Sequence, residues 1–388
     1  MSKKIIIIGG GASGMLCAIK CADKGADVTV LERNERLGKK LLATGNGKCN
    51  LSNLGATADA YNDVFTKDIL QRFTPEKIKD EFASLGLLCK SDSEGRIYPY
   101  SESATTVLNV LLQRLSERGV KAVCDCFCNE IRKAGQGFNV ITSKGEFYAD
   151  AVVVATGSDA TAGHNSHSLL SAFGHKIKSL NYAIAPLICK DIKGANGVRA
   201  KAYARMEING DTVMGERGEL LFKDGALSGI LAFRLSSALA RRGGKFDSCK
   251  VVIDFVPDLS ENQLADYIYE NCSVFAPLEG ILHKALAYNV IATIPMDRSL
   301  IMSRKKAADI ARACKNYKVD ISGVAGKNFA QVACGGIELD GIDSSTMQSR
   351  LCKGIFAIGE VVDVDGLCGG FNLHWAWASA LACSEAIV

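Results

Sequence analysis

Gly9, Gly11 and Gly14 stand in the spacing G-x-G-x-x-G directly after the apolar, β-branched run Ile5–Ile8. A second apolar run, Val28–Leu31, ends in Glu32, 18 positions beyond Gly14. The chemistry this set can do is dinucleotide binding. Gly9 permits the tight turn out of the strand, Gly11 lets a pyrophosphate approach the backbone, and Gly14 lets helix and strand pack closely. The helix carrying Met15, Leu16, Ala18, Ile19 and Ala22 offers its N-terminal N–H groups and the positive end of its dipole to the phosphates. Glu32 can accept from ribose hydroxyls, which favours an adenosine with a free 2′-OH. The glycines alone are a weak signal; inside a complete strand–turn–helix–strand unit with the acid in place they are a specific one.

This unit fits NAD and FAD equally. The segment behind it separates them. Gly38–Asn50 is a long loop in which Thr44, Asn46, Lys48 and Asn50 carry hydrogen-bonding side chains and glycines allow close approach. An NAD dehydrogenase moves quickly to its next helix at this point. A loop this long without disorder-type composition reads as functional.

The elements around these residues follow from composition and periodicity. The 388 residues suggest two or three domains, and 48% hydrophobic with 23% charged residues is ordinary for a globular chain. Net charge is +4, and the basic clusters Arg241-Arg242 and Arg304-Lys305-Lys306 are short enough to read as solvated surface, so no nucleic-acid partner is expected. The fifteen cysteines contain no C-x-x-C pair, which argues against zinc and for a reducing, cytoplasmic setting. No apolar run reaches the roughly 18–20 residues of a membrane span. Thr74-Pro75 predicts a helix start, and Ile78, Phe82 and Leu85 its buried face. Further helices are predicted over 103–118, 260–269, 277–286 and 303–314. A strand over 120–128 would point Cys124, Cys126 and Cys128 to one face. An antiparallel meander follows over 130–149, then a buried strand ending in Ala155-Thr156-Gly157.

The block Gly38–Asn50 with Asn53 resembles the signature of the YhiN/BaiN-type flavoproteins, a branch of the two-dinucleotide-binding-domain FAD enzymes. The C-terminal stretch Gly354–Trp377 resembles it as strongly, and Arg96–Ser101, Gly218–Phe222, Leu227–Gly229 and Gln331–Gly336 also match. His374 departs from the usual glutamine, and Lys223-Asp224 from a threonine-containing pair. The resemblance implies a doubly wound, Rossmann-like α/β domain for FAD, built from 1–186 and 331–388. It also implies an inserted substrate cap over 187–330, β-rich and barrel-like over 187–256 and helical over 257–314.

The cofactor residues so implied are Gly9, Gly11, Ser13, Gly14, Glu32, Arg33, Lys40, Thr44, Gly45, Asn46, Asn50, Cys128, Ala155, Thr156, Gly157, Gly359, Glu360, Gly370, Asn372 and Leu373. Cys128 would serve through its backbone near the adenine. Glu360 would lie at the ribityl–phosphate part of FAD, and the helix opening at Gly370 would aim its N-terminus at the pyrimidine end of the flavin. Trp375 and Trp377 read as core residues ahead of stacking ones.

No second G-x-G-x-x-G follows a strand, so electrons would come from the substrate itself or from NADPH or NADH visiting as a transient donor. The resemblance then implies reduction of a conjugated enone such as a dehydro bile acid or steroid. The alternatives are oxygen-dependent amine oxidation of the aminoacetone type and a flavin-binding scaffold or redox sensor without turnover. A nucleic-acid-modifying flavoprotein would call for a basic face on the cap. Tyr98, Tyr100 and His374 are candidate proton donors for an enone, each weighed against a structural hydrogen-bonding role.

Overall fold

The computed structural model describes residues 2–160, 167–243, 246–295 and 301–388. The chain divides into two compact units, Met1–Asn181 with Gln331–Val388 and Tyr182–Ala330. The first crossing thus falls at Asn181/Tyr182 rather than 186/187, while the second falls at 330/331.

In the first unit a five-stranded sheet runs in the order Ile355–Ala357, Ala151–Val154, Lys4–Ile8, Asp27–Leu31, Lys121–Val123, every pair parallel. Ile5–Ile8 and Ala151–Val154 are buried throughout, as strands covered on both faces require. The helices Ala12–Asp23 and Phe371–Ile387 pack together beside the sheet. Cys17 and Cys21 meet there with sulfurs 3.9 Å apart, buried as small hydrophobes on one helix face. Thr74 caps its helix, its hydroxyl accepting from the Lys77 N–H at 3.3 Å, with Pro75 at the first helical position.

The strand expected over 120–128 is broken. Lys121–Val123 belongs to the parallel sheet and Cys128–Ala134 to the antiparallel meander with Gly137–Thr142 and Gly145–Ala149. Between them Asp125 takes φ +47°, its N–H donating to Asn34 O, while Cys126 N–H donates to Glu32 O. The three cysteines therefore do not share one strand face. The break is useful, because it ties the crossover to the backbone of Glu32.

The second unit is built on a closed six-stranded barrel. Leu187–Cys189, Ala226–Ser228, Asp211–Lys223, Arg199–Ile208, Cys249–Asp254 and Tyr317–Val324 pair in that order, and the last closes onto the first. Alternation along Arg199–Ile208 turns Ala202, Ala204, Met206 and Ile208 into the core with Leu220, Phe222, Val251 and Ile253. Helices occupy Gly229–Arg241, Glu261–Asn271, Lys284–Ile291 and Arg304–Lys315. The helix expected over 277–286 instead begins at Lys284, because His283 is its cap, with Nδ1 accepting from the Ala285 N–H.

Candidate dinucleotide site

A cavity of about 540 Å3 opens at the carboxyl ends of Lys4–Ile8, Asp27–Leu31 and Ala151–Val154, the edge at which open α/β sheets take ligands. The glycines set its floor. Gly9 has φ +109°, and a Cβ there would lie 2.4 Å from Ala155 O; a Cβ on Gly14 would lie 1.9 Å from Gly9 O. Gly11 is different. Its φ is −81°, and a Cβ would meet no protein atom within 4 Å, so the space above it is open to a ligand.

Glu32 is buried at one end of the cavity. Its Oε2 accepts from the Gly10 N–H at 2.8 Å, and its Oε1 accepts from the Asn34 N–H at 2.8 Å and Asn34 Nδ2 at 2.5 Å. The carboxylate keeps lone pairs for ribose hydroxyls. Two cations on the wall, Arg33 and Lys39, have no ion-pair partner among the described residues, whereas Lys40 Nζ lies 2.6 Å from Glu360 Oε2. Glu360 Oε1 in turn accepts from the Ala333 N–H at 2.9 Å. At the far end, Gly370 (φ +104°) opens the helix Phe371–Ile387. Asn372 fixes that opening, with Oδ1 accepting from the Gly366 N–H at 2.9 Å and Nδ2 donating to Gly366 O at 3.1 Å.

These residues fit a dinucleotide. The open space over Gly11 suits a pyrophosphate, and the unpaired cations balance its charge. Thr156 presents a buried hydroxyl that has no hydrogen-bond partner among the described residues. The helix N-terminus carries free N–H groups where an electron-rich ring edge would gain from them.

Of the residues expected from sequence, Gly9, Gly11, Ser13, Glu32, Arg33, Lys40, Thr44, Cys128, Ala155, Thr156, Gly157, Glu360, Asn372 and Leu373 line the cavity. Gly14, Gly45, Asn46, Asn50, Gly359 and Gly370 do not, and most of these act as spacers. A Cβ on Gly359 would lie 2.6 Å from Ser13 Oγ, and one on Gly370 would lie 2.4 Å from Ser52 O and 2.7 Å from Asn50 Oδ1. Gly45 and Asn46 turn the loop at φ +57° and +53°. Sequence reasoning missed Lys39, Phe127, Ser158, Gln331 and Val364. Lys39 was legible as a cation beside Lys40, and Gln331 and Val364 stand in segments that carry the resemblance; Phe127 and Ser158 reach the wall only through the tertiary fold.

The candidate proton donors lie away from the dinucleotide cavity. In the strand Arg96–Pro99, Ile97 and Pro99 point inward, so Tyr98 points outward with Arg96. Tyr100 is 61% exposed, with Lys90 Nζ 5.4 Å from its ring centroid. His374 is fully buried, with Nδ1 2.7 Å from Ser52 Oγ. Helical geometry turns it away from Asn372, Leu373 and Ala376, which line the cavity. None of the three lines it. Trp375 donates to Gly359 O at 3.1 Å and Trp377 to Leu51 O at 3.0 Å, both buried. Burial also pushes the Cys128 thiol up to about 12, so it is no thiolate near neutrality.

Burial lowers the His374 imidazole to about 4, against about 6.5 in an unfolded chain. The fold holds it neutral, so its contribution is intact above pH 6.5 and is lost as pH falls toward 4. Between pH 7 and 4.5 this single group should cost roughly 2 kcal/mol of stability. His374→Gln should remove that part of the acid loss, as read from denaturant midpoints at the two pH values. An equal acid loss in wild type and variant would show that the imidazole does not titrate with folding.

A cavity of this kind, running from a buried carboxylate able to accept from ribose hydroxyls past an open glycine to a second helix N-terminus, is what an FAD-dependent oxidoreductase offers its cofactor. Comparison with known proteins agrees. The HI0933-like protein Rossmann domain matches residues 3–386, and the chain belongs to that family. It is 33% identical over 405 positions to the 3-dehydro-bile acid delta(4,6)-reductase of Clostridium scindens, covering 99% of this chain and 98% of the relative. It is 27% identical over 399 positions to the ribosomal RNA dihydrouridine synthase of Escherichia coli, covering 99% and 97%. The fold is similar to that of 3-ketosteroid delta1-dehydrogenase from Sterolibacterium denitrificans, with a TM-score of 0.54 at 13% identity over 100% of this chain and 99% of the other. The chain is an FAD-dependent oxidoreductase. Among the described residues, no helix is long and apolar enough to cross a membrane.

Proposed function

We propose that the chain is an NAD(P)H-linked reductase of a carbon–carbon double bond conjugated with a carbonyl, with a dehydro bile acid or steroid enone as substrate. The observation that carries this reading is the full-length similarity to a reductase of that substrate class, joined to a cavity whose residues fit the cofactor. Bound FAD supplies a two-electron carrier that delivers hydride. The chain's own residues bind and orient. Glu32 holds the adenosine ribose, and Arg33 and Lys39 offset phosphate charge. The helix N-terminus at Asn372 and Leu373 favours charge on the ring end. The described cavity wall carries neither tyrosine nor histidine.

A second reading rests on charge. Residues 182–330 hold 21 Lys and Arg against 16 Asp and Glu, a net +5, so the remainder of the +4 chain is net −1. Exposed aromatics accompany the cations: Lys193 Nζ lies 5.3 Å from the Tyr288 ring centroid, and the Arg304 guanidinium lies 4.7 Å from that of Tyr269. Such pairing suits a polynucleotide. The uracil ring of RNA belongs to the same reaction class, because its C5=C6 bond is conjugated with the C4 carbonyl.

The test is to reduce the flavin without oxygen and add a steroid 4,6-dienone or ribosomal RNA from cells lacking this protein. Reoxidation with a two-hydrogen mass gain in the steroid supports the first reading. The same gain in a uridine, with no steroid turnover, replaces it with the second.

A further inference from the structure

A second cleft, of about 510 Å3, lies beside the dinucleotide cavity within the same unit. Its floor is apolar: Leu37, Leu42, Leu108 and Leu112. Leu112 is 37% exposed although its helix Ala104–Glu117 buries Val107, Leu111 and Leu115 elsewhere, so it is an apolar side chain left facing this cleft. On the rim stand Glu35 and Arg36, both exposed, and among the described residues neither has an ion-pair partner, the other included. Neighbouring opposite charges above an apolar floor complement a ligand that carries both signs and an apolar body.

The segment 33–44 is the partition between the two spaces. Arg33, Asn34, Gly38–Leu41, Ala43 and Thr44 face the dinucleotide cavity, while Glu35, Arg36, Leu37 and Leu42 face the cleft. The contacts across it are direct. A Cβ on Gly10 would lie 2.3 Å from Leu37 Cδ2, and a Cβ on Gly38 would lie 2.3 Å from Leu108 Cδ1. Gly38 N–H donates to Gly10 O at 2.8 Å, and Gly10 N–H donates to Glu32 Oε2. Two leucines of the cleft floor thus touch the backbone that holds the ribose carboxylate. Close-packed contacts of this kind transmit a displacement instead of absorbing it.

We propose that this cleft is a second ligand site for a small amphipathic zwitterion of the apolar amino-acid type. The carboxylate seats on Arg36, the ammonium on Glu35 and the apolar body on the four leucines. Filling the cleft braces Leu37 and Leu108, stiffens Gly10 and Gly38, and tightens the hold on the dinucleotide. Linkage makes the coupling reciprocal, so the flavin-loaded protein binds the zwitterion more tightly than the flavin-free protein does.

The probe is L-phenylalanine, with phenylacetate and phenethylamine as its two half-ligands, tested on the flavin-loaded protein. Calorimetry should show saturable phenylalanine binding with a dissociation constant of about 1 mM or below. Each half-ligand should bind about tenfold more weakly, since it leaves one rim charge unanswered. Saturating phenylalanine should slow release of flavin on dilution by about fivefold.

Leu112→Glu, a change at an exposed helical position, should abolish phenylalanine binding while the flavin content and melting temperature stay at wild-type values. Arg36→Ala should weaken it about tenfold, as removal of the ligand's carboxylate does, and Arg36→Lys should restore part of it. Absence of saturable binding overturns the proposal, as does binding unchanged by Leu112→Glu. Tight binding with no change in flavin release overturns the coupling.

Discussion

Gly11→Glu is expected to give a folded, colourless protein, and Gly14→Ala one that no longer folds stably. Both glycines belong to one motif, and the structure gives them opposite duties. At Gly11 the backbone is extended at φ −81°, which any residue adopts, and a Cβ meets nothing within 4 Å. A side chain there strains no protein atom. It fills the space over which a pyrophosphate would lie, and a carboxylate adds like-charge repulsion. Flavin content should fall below a tenth of wild type, while the melting temperature matches that of flavin-free wild type, since binding alone is lost.

At Gly14, alanine would ordinarily help, because glycine inside a helix is about 1 kcal/mol worse than alanine. Here the new Cβ falls 1.9 Å from Gly9 O, a backbone atom held by the turn, so helix and strand must separate. Overpacking on this scale costs about 3 kcal/mol or more, a large part of a domain's stability. Far-UV circular dichroism and melting read the difference. A stable Gly14→Ala protein with full flavin would show that helix and strand do not pack as closely as described.

Gly370→Ala is the second large effect, and it acts at the other end of the cavity. Gly370 sits at φ +104° before the helix Phe371–Ile387, a conformation that an L side chain rarely adopts. The added Cβ would also press on Ser52 O at 2.4 Å and Asn50 Oδ1 at 2.7 Å. The chain cannot keep this geometry with a side chain, so the first turn of the helix shifts and Asn372 loses its paired bonds to Gly366. A ring end of the cofactor seated at this helix would then lose those N–H groups, while the Glu32 end is untouched. Flavin should bind at least about tenfold more weakly. An ADP analogue, which needs only the Glu32 end, should compete with unchanged affinity. Equal losses for flavin and ADP would mean that the variant had damaged the whole unit.

Much of this arrangement was legible in the sequence, for reasons that differ by residue. The glycine turn and Glu32 were readable because their jobs depend on local backbone geometry and fixed spacing. Asn372 was readable only through resemblance, since nothing local shows that its amide bridges back to Gly366. Gln331 and Phe127 reach the cavity wall from segments far apart in the chain, and no periodicity marks them.

The barrel was half visible. Arg199–Ile208 alternates cleanly, but Tyr317–Val324, which closes the ring, lies beyond helices that hide its partnership with Leu187–Cys189. The strand over 120–128 was misread because alternation among Cys124, Cys126 and Cys128 continues across a change of sheet, where Asp125 turns the chain. His374 looked reactive by residue type and neighbourhood. Its position on the far side of the helix from Asn372 turns it away from the cavity and toward Ser52.

The most direct test of the account is an anaerobic titration of the purified, flavin-loaded protein with NADPH and with NADH, followed at the visible flavin band. The band should bleach stoichiometrically with one of them and return, without oxygen, when an acceptor bearing a double bond conjugated to a carbonyl is added. A flavin that stays oxidised with both nucleotides yet bleaches with an amine would contradict the reductase account and make amine oxidation the reaction of this site.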